Sequence, residues 1–302
     1  MARPRSLLDL EHLSPDEITS ILKLARKMHS GRPRPLLQGK RIALLFYETS
    51  TRTRVSFEFA AKLLGTHTSV INANASSIEK GESLVDTGKT LQALGADCIV
   101  MRHPSSGAPN VLARNLRIPI INAGDGMHEH PSQGLLDAYT ILRHKKKLKG
   151  LRVAMIGDIQ HSRVARSNIH LLSKFGADIV LCGPPEFLPE LALTLSSRVS
   201  ISRRLEEALR EADVVMMLRM QKERLVGLDI DVERYISHWQ LTTELLKLAR
   251  KDALVMHPGP MIRGMEIQTE VADSPRAVIE EQVQNGVYVR MAILAICTGV
   301  VK

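Results

Sequence analysis

The chain has 302 residues, of which 44% are hydrophobic, 24% charged and only 3% aromatic. This length favours two domains, with a core large enough to fold without cross-links. The three widely separated cysteines, without a C-x-x-C pair, argue against a disulfide framework or a zinc ribbon. Basic residues exceed acidic ones by nine, but they are scattered and few aromatic rings can stack on bases, so we expect small anionic substrates and no nucleic acid.

The beginning of the chain, MARPRSLLDLEHLSPDE, has no apolar stretch of the length that a signal peptide requires. No segment reaches the roughly 18 apolar residues of a membrane-spanning helix. Together with the cysteine pattern, these features predict a soluble protein of the reducing cytoplasm, with no membrane partner.

The first half of the chain alternates strand-like and helix-like segments. Ser14 and Glu17 form a capping-box pattern around Pro15, and apolar residues recur at helical spacing until Gly31. Four buried strands are predicted after this helix, each followed by a helical segment or a polar cluster. They span residues 41–48, 68–73, 98–103 and 118–124.

The alternation starts again after a long predicted helix at 132–147. One or two helices, punctuated by Gly286, are predicted at 274–301. The pattern predicts an α/β fold of two domains, each a mostly parallel sheet covered by helices on both faces. The strands predicted in this half span residues 151–158, 177–183, 213–219 and 253–259.

The domain boundaries are expected around the long helix. We expect a first domain at 1–131, a connecting helix at 132–149 and a second domain at 150–285. The C-terminal helix, 286–302, is expected to pack back on the first domain.

Polar side chains follow most of the predicted strands. In open parallel sheets, ligands bind beyond the carboxyl ends of the strands, so these residues are the candidates for chemistry. They are rich in arginine, histidine and amide groups and lack the spacing of a metal site. The segments are 50–54, 102–103, 125–133, 158–163, 219–221 and 257–260.

The segment STRTR, at 50–54, lies where the first predicted strand gives way to a helix. A helix N-terminus favours an anion, hydroxyl side chains add donors, and the guanidinium of Arg52 adds a planar fork that matches phosphate oxygens. A simple helix cap followed by solvated arginines is the alternative. Five such residues in succession favour a phosphate site, and we assign Arg54, on another helix face, to structure.

Two common nucleotide-binding patterns are absent from the sequence. There is no G-x-x-x-x-G-K-[ST], and the MIGD that closes the strand predicted at 151–158 has one glycine where a dinucleotide site has G-x-G-x-x-G. A P-loop enzyme and an NAD enzyme are therefore not expected.

Seven motifs resemble, in order, those of the aspartate/ornithine carbamoyltransferase family, and they extend over nearly the whole chain. They are F-x-x-x-S-T-R-T-R-x-S-F-E at 46–58, SSIEKGESLVDT at 76–87, MRHP at 101–104, NAGDGMHEHPSQGLLD at 122–137, GDIQHSRVARSN at 157–168, LRMQKERL at 218–225 and HPGP at 257–260.

The second half of the chain bears on the acceptor amine. Family members that use ornithine carry H-C-L-P and an acidic D-x-x-x-S-M-G segment, whereas this chain has HPGP and R-x-Q-K-E-R. The resemblance implies that Arg163, Arg219 and Gln221 bind aspartate, assisted by Lys80, and arginine forks suit its two carboxylates. We expect carbamoyl transfer from carbamoyl phosphate to L-aspartate in pyrimidine biosynthesis, without metal or cofactor.

The resemblance also implies a carbamoyl phosphate site in the first domain and an aspartate site in the second. Thr53, Arg102 and His130 would converge on the carbonyl oxygen and, with Arg52, form the catalytic set. His130 invites a general-base interpretation, but the resemblance implies a hydrogen-bond donor, with the departing phosphate as proton acceptor. The phosphate ligands would be Ser50, Thr51, Arg52 and Thr53.

The carbamoyl amine would be held by Gln133 and by the backbone carbonyls of Pro258 and Gly259, next to an expected cis bond to Pro260. Three further histidines are expected to support the site: His103, His128 and His257.

Ser76 and Lys80 belong to a loop after the second predicted strand. In the family this loop reaches the neighbouring subunit's carbamoyl phosphate site, so the resemblance implies a homotrimer with shared active sites; a surface loop is the alternative. Glu48 would meet Arg163 and Arg224 when the domains close on aspartate.

Other interpretations remain open at the level of sequence. The alternatives are a carbamoyltransferase for another acceptor amine, such as ornithine, and a non-catalytic family member that serves as a scaffold. A regulatory chain or a dihydroorotase is a possible partner. The chain departs from some relatives at Glu79, before Lys80, and in the residues after HPGP, where Met261 and Ile262 precede Arg263, whose role is open.

Overall fold

The computed structural model describes residues 5–31, 34–72, 81–220 and 231–301. The chain divides into two compact units. One unit comprises Met1–Leu136 and Val283–Lys302, and the other comprises Asp137–Gln282. The chain therefore leaves the first unit once and returns to it near its C-terminal end.

The first unit has the predicted alternation of helices and strands. Its described elements form a four-stranded sheet in the order β2-β1-β3-β4, with every pairing parallel. They are α1 (Pro15–Ser30), β1 (Arg41–Phe46), α2 (Thr51–Leu63), β2 (His67–Asn72), α3 (Leu84–Ala93), β3 (Cys98–His103), α4 (Ala108–Asn115), β4 (Ile120–Asp125) and the beginning of α5 (Pro131–Lys145).

The second unit also contains a parallel sheet flanked by helices. Among its described residues the sheet has five strands in the order β7-β6-β5-β8-β9. The elements are β5 (Arg152–Ile156), α6 (Arg163–Lys174), β6 (Asp178–Cys182), two 3-10 turns (Pro185–Phe187 and Glu190–Leu195), β7 (Val199–Ser202), α7 (Leu205–Leu209), β8 (Val214–Met217), α8 (Val232–Trp239), α9 (Thr243–Leu246), β9 (Leu254–Met256), α10 (Thr269–Ala272) and α11 (Ile279–Cys297), which continues into the first unit.

The predicted fold class is confirmed, but several elements differ from their predictions. β7 was not predicted, because its four residues, VSIS, contain no continuous apolar run. Several strands are shorter than predicted, because residues at the ends of the predicted runs lie outside the sheets: β1, β4, β5, β6, β8 and β9. α11 is one uninterrupted helix, so of the one or two helices expected here there is one, and Gly286 does not interrupt it; a Cβ at this glycine would contact the Arg290 guanidinium.

α1 follows directly from its sequence. Ser14 accepts a hydrogen bond from the backbone N–H of Glu17, whose carboxylate accepts from the N–H of Ser14 in return, so the predicted capping box is present. The helix ends before Gly31, and its apolar face is buried.

A short N-terminal segment extends the first sheet beyond β4. Leu7 forms a parallel bridge with Ile121, and its N–H donates to the carbonyl of Ile120 at 3.0 Å. Its carbonyl accepts from the N–H of Asn122 at 2.8 Å. The edge of β4 is therefore paired, which protects its backbone groups from other chains.

All three cysteines are buried and free. Cys98 and Cys297 lie in the first unit and Cys182 lies in the second. Burial raises the pKa of Cys182 and that of Cys297 to about 12, so both thiols are protonated at neutral pH. Within the described ranges, no helix has both the length and the apolar composition needed to cross a membrane.

Candidate active site

The first sheet changes direction between β1 and β3. The chain leaves β1 toward β2 and later returns on the opposite side of β1, at β3. Ligands of parallel α/β sheets bind at such a switch point. The predicted residues after both strands are adjacent there, because the N–H of Tyr47 donates to the carbonyl of Arg102 at 2.9 Å.

The N-terminus of α2 is suited to an anion. Ser50 occupies the cap position with an extended backbone, but its side chain makes no hydrogen bond to the helix, and the first turn contains no acidic residue. The N–H groups of that turn thus lack the side-chain acceptor that a helix cap normally supplies. Thr51 and Arg52 begin the helix with exposed side chains, and partial desolvation lowers the pKa of Arg52 while leaving it cationic.

Thr53 and His130 meet beside this helix terminus. Both are buried, and the Thr53 Oγ1 lies 3.4 Å from His130 Nε2. The other ring nitrogen, Nδ1, lies 3.5 Å from Ser132 Oγ. His130 immediately precedes α5, and its carbonyl accepts the N–H of the buried Gln133 at 2.9 Å. The connection from β4 to α5 therefore brings His130 and Gln133 to the same region as α2.

Arg102, at the end of β3, is paired with Glu48. Its Nε lies 3.1 Å from Glu48 Oε2, and the two side chains are only 15% and 22% exposed. The carboxylate holds the guanidinium at the switch point and balances part of its charge. His103 follows, and its Nδ1 accepts the N–H of Ser105 at 2.9 Å, which places a proton on Nε2 in the neutral ring.

A fully buried carboxylate supports the segment that carries His130. Asp125 accepts hydrogen bonds from the N–H of Gly107 at 2.7 Å, from the side chain of Asn122 at 2.8 Å and from His128 Nδ1 at 3.1 Å. Burial opposes ionisation, but these donors hold the pKa of Asp125 below its ordinary value. The bond to Asp125 raises the pKa of His128. His128 was expected to support the site; Asp125 lies in the same candidate segment, 125–133, but no role was predicted for it.

A second buried acid anchors the N-terminal segment to the same loop. Glu129 is completely buried and accepts the backbone N–H groups of Leu10 and Glu11 at 3.0 and 3.1 Å. Charge-assisted bonds to backbone N–H groups are the strong type, so this contact ties the segment preceding α1 to the residue next to His130.

The second sheet has its own switch point, between β5 and β8. Arg163, predicted to bind aspartate, opens α6 and is buried, and Arg219 follows β8 with a partly buried side chain. Before α6, the buried Asp158 accepts from the N–H and Nδ1 of His161, both at 3.0 Å. Both predicted arginines therefore lie at the carboxyl edge of this sheet.

The HPGP segment follows β9 and contains the expected cis bond between Gly259 and Pro260. His257 is fully buried, and its Nδ1 accepts the N–H of Gly259 at 2.9 Å. Arg263, whose role the sequence left open, forms a two-bond ion pair with Asp273 at the surface.

Four predicted site residues lie outside the described part of the chain: Ser76, Lys80, Gln221 and Arg224. Within the described ranges, no group of three or more His, Cys, Asp or Glu side chains is arranged to hold a metal ion.

The chain matches two family models. Residues 5–143 match the carbamoyl-P binding domain of aspartate/ornithine carbamoyltransferase, and residues 149–297 match the Asp/Orn binding domain. Among relatives, it is 63% identical over 292 residues to the aspartate carbamoyltransferase catalytic subunit of Koribacter versatilis (strain Ellin345), covering 97% of this chain and 96% of that protein. It is 53% identical to the corresponding subunit of Solibacter usitatus (strain Ellin6076), covering 96% and 98%.

Solved structures give the same result. Ornithine carbamoyltransferase from Pyrococcus furiosus superposes with a TM-score of 0.89 at 31% identity, covering 99% of this chain and 98% of that one. Aspartate transcarbamoylase from Trypanosoma cruzi in complex with N-(phosphonacetyl)-L-aspartic acid superposes with a TM-score of 0.88 at 33% identity, covering 97% and 95%. The chain belongs to the aspartate/ornithine carbamoyltransferase family.

Proposed function

We propose that this protein transfers the carbamoyl group of carbamoyl phosphate to the amine of L-aspartate, giving N-carbamoyl-L-aspartate and phosphate, as a step of pyrimidine biosynthesis. The observation that carries the proposal is the identity of 50–63% to aspartate carbamoyltransferase catalytic subunits along almost the whole chain. The HPGP and R-x-Q-K-E-R segments, which stand in place of the motifs of the ornithine enzymes, also support aspartate as the acceptor.

In this reaction the phosphate group binds at the N-terminus of α2. Its ligands are Ser50, Thr51, Arg52 and Thr53. The uncapped first turn and its lack of acidic residues support this role, because both leave the positive end of the helix to an external anion. Arg52 adds full charge and a fork of donors.

The carbonyl oxygen of carbamoyl phosphate accepts hydrogen bonds from Thr53, Arg102 and His130. The amine of aspartate attacks the carbonyl carbon, and negative charge then develops on this oxygen. Donors that are already in place stabilise that charge without reorganisation. The buried pair of Thr53 and His130 and the ion pair that fixes Arg102 support this arrangement.

The departing phosphate takes the proton released by the attacking amine, so His130 acts as a hydrogen-bond donor. Gln133 and the backbone carbonyls of Pro258 and Gly259 hold the carbamoyl NH2 group. Acceptors of fixed direction orient this group and therefore the face of the carbonyl carbon open to attack.

L-Aspartate binds to residues of the second unit. Arg163 and Arg219 hold its two carboxylates, and their positions at the carboxyl edge of the second sheet support this role. Gln221 and Lys80 complete the aspartate site. On closure around aspartate, Glu48 would contact Arg163 and Arg224.

The active sites are completed by a neighbouring copy of the chain in a homotrimer, with Ser76 and Lys80 reaching the carbamoyl phosphate of the adjacent subunit. The protein works in the cytoplasm, a location that its buried free thiols favour. Docking to a dihydroorotase or a regulatory chain is a further possibility for this trimer.

The proposal is tested by incubating the purified protein with carbamoyl phosphate and either L-aspartate or L-ornithine. We expect N-carbamoyl-L-aspartate to form and no citrulline above the uncatalysed rate. Citrulline formation would assign the ornithine reaction. Absence of both products, with no tight binding of N-(phosphonacetyl)-L-aspartate, would indicate a non-catalytic scaffold.

A further inference from the structure

The HPGP segment is held by a buried polar network that lies entirely within the second unit. The network begins at Asp137 on α5, whose two carboxylate oxygens accept from Asn168 and from Gln282, each at 2.8 Å. The side-chain oxygen of Gln282 then accepts the backbone N–H of His257 at 2.9 Å. Three helices therefore fix the backbone at the beginning of the segment.

The side chain of His257 extends this network to Glu266. Its Nε2 lies 3.1 Å from Glu266 Oε1, and both side chains have 0% exposure. The same oxygen accepts the N–H of Ile262 at 2.7 Å. Because the N–H of Gly259 can only donate, Nδ1 of His257 must be the acceptor, so the proton is on Nε2 and is donated to Glu266.

This tautomer has a consequence for the adjacent peptide groups. A histidine with its proton on Nδ1, or with protons on both nitrogens, would point an N–H at the N–H of Gly259, and the two donors would repel. The hydrogen bond fixes the peptide plane between Pro258 and Gly259, and the carbonyl of Pro258 belongs to that plane. An unmade bond would also leave a donor unsatisfied at a buried imidazole.

We propose that His257 is a positioning residue for the carbamoyl group: with Nδ1 as acceptor, and with Glu266 holding the proton on Nε2, it fixes the direction of the Pro258 carbonyl, one of the two carbonyls that bind the carbamoyl NH2. This inference rests on the proposed function. It assigns His257 to recognition of the carbamoyl end of the donor and leaves the phosphate end, bound at α2, unaffected.

Two substitutions test the roles of the two ring nitrogens of His257 separately. In His257→Asn, the side-chain oxygen can take the place of Nδ1 and accept the N–H of Gly259. In His257→Gln, the longer amide can reach Glu266 in place of Nε2 but removes the short-range acceptor for Gly259. Each variant thus keeps one half of the network and loses the other.

The measurements are KM for carbamoyl phosphate, the inhibition constant of inorganic phosphate and the midpoint of urea unfolding. We expect His257→Gln to raise KM for carbamoyl phosphate roughly tenfold more than His257→Asn does, on the scale of one buried hydrogen bond, while phosphate inhibits both variants as it does the parent. Equal KM values in two variants of equal stability would refute the positioning role, as would a parallel loss of phosphate affinity.

A second measurement avoids any variant that fails to fold. In the parent protein labelled with 15N-histidine, we expect the His257 Nδ1 to give the shift of an unprotonated nitrogen, and Nε2 that of a protonated one, throughout the pH range of activity. The opposite tautomer or an imidazolium at neutral pH would overturn the inference. If the parent protein does not carbamoylate aspartate at all, the proposed function fails instead, and the tautomer is unaffected by that result.

Discussion

At the scale of single residues, the two arginines of STRTR have different expected roles although they are two positions apart. Arg52 is an exposed residue in the first turn of α2, beside the uncapped helix terminus, whereas Arg54 is partly buried. Positions two apart on an α-helix point to nearly opposite sides, so the two arginines have different surroundings.

Arg52→Ala should lower kcat/KM for carbamoyl phosphate by roughly 10² to 10³, the usual effect of removing a preorganised donor to developing charge. Arg54→Ala is the matched control, since it removes the same charge from the same helix, and it should change kcat/KM by less than about threefold. The measurement is steady-state kinetics at saturating aspartate. Similar losses in both variants would mean that net charge, and not the phosphate contact, is responsible.

His128 makes stability depend on pH. Its raised pKa means that the folded state binds the proton more tightly than the unfolded chain does. The resulting stabilisation is complete below the ordinary histidine pKa, about 6.5, and is lost as pH rises through the raised value. The lowered pKa of Asp125 gives stability the opposite pH dependence, and the contribution of Asp125 is lost only when pH falls through that lowered pKa.

We therefore expect His128→Gln to lose more free energy of unfolding at pH 5.5 than at pH 9, by urea titration. The exposed His67, at the beginning of β2, provides the control, and His67→Gln should show no such difference. A constant difference between parent and His128→Gln over this range would contradict the assignment.

The sequence predicted candidate site residues but not the buried acids that support them. Arg102, His130 and Arg163 lie in the candidate segments that follow predicted strands, and their individual roles came from the family resemblance and stay predictions. Asp125 and Glu129 lie in the candidate segment 125–133, but no role was predicted for either, because an acid in a loop is usually solvated and its burial depends on donors from distant segments.

At the scale of secondary-structure elements, α2 combines a stable helix body with an incomplete N-terminus. Ser50 is a good capping residue by type, yet its side chain makes no capping bond, in contrast to Ser14 on α1. Without this bond, the N–H groups of α2 are open to the phosphate that the proposed function places there.

Ser50→Asp should fill this position with a charged cap. We expect the free energy of unfolding to rise by about 0.5–1 kcal/mol, because an acid suits a helix N-terminus, and KM for carbamoyl phosphate to rise at least roughly tenfold, because the acid occupies and repels the phosphate position. The measurements are urea unfolding and steady-state kinetics.

Ser50→Ala is the comparison, since it removes the hydroxyl without adding charge. It should leave stability within about 0.5 kcal/mol of the parent, because no capping bond is lost. If Ser50→Asp bound carbamoyl phosphate as tightly as the parent does, α2 would not be the phosphate site.

The elements themselves were largely predictable. Eight strands were expected from apolar runs, and all eight are present with ends shifted by a few residues. β7 was not, since it is short and polar. The order of strands and the pairing of Leu7 with Ile121 depend on contacts far apart in the chain, which periodicity does not contain.

At the scale of the whole molecule, the shared-site proposal makes each trimeric site depend on two chains. Arg52 would act in one subunit, and Ser76 would act from its neighbour. A population of mixed trimers therefore contains some sites with both residues intact even when every chain carries one defect.

Mixing Arg52→Ala chains with Ser76→Ala chains, after dissociation and reassembly, should restore part of the activity that neither variant has alone. Random assembly limits the recovery to a minority of sites. The measurement is the specific activity of the mixture against each variant taken through the same procedure. If no activity returned although mixed trimers formed, the sites would not be shared.

The enclosed thiols make local opening of the molecule visible to chemistry. Reagents that alkylate thiolates can reach a sulfur here only when its surroundings separate, so the modification rate reports how often that happens. Cys182 lies in one unit, and Cys98 and Cys297 lie in the other. Mass spectrometry of alkylated peptides would therefore measure the rate of local opening in each unit separately. A substrate that lowers the modification rate of the cysteines in only one unit would thereby be shown to stabilise that unit.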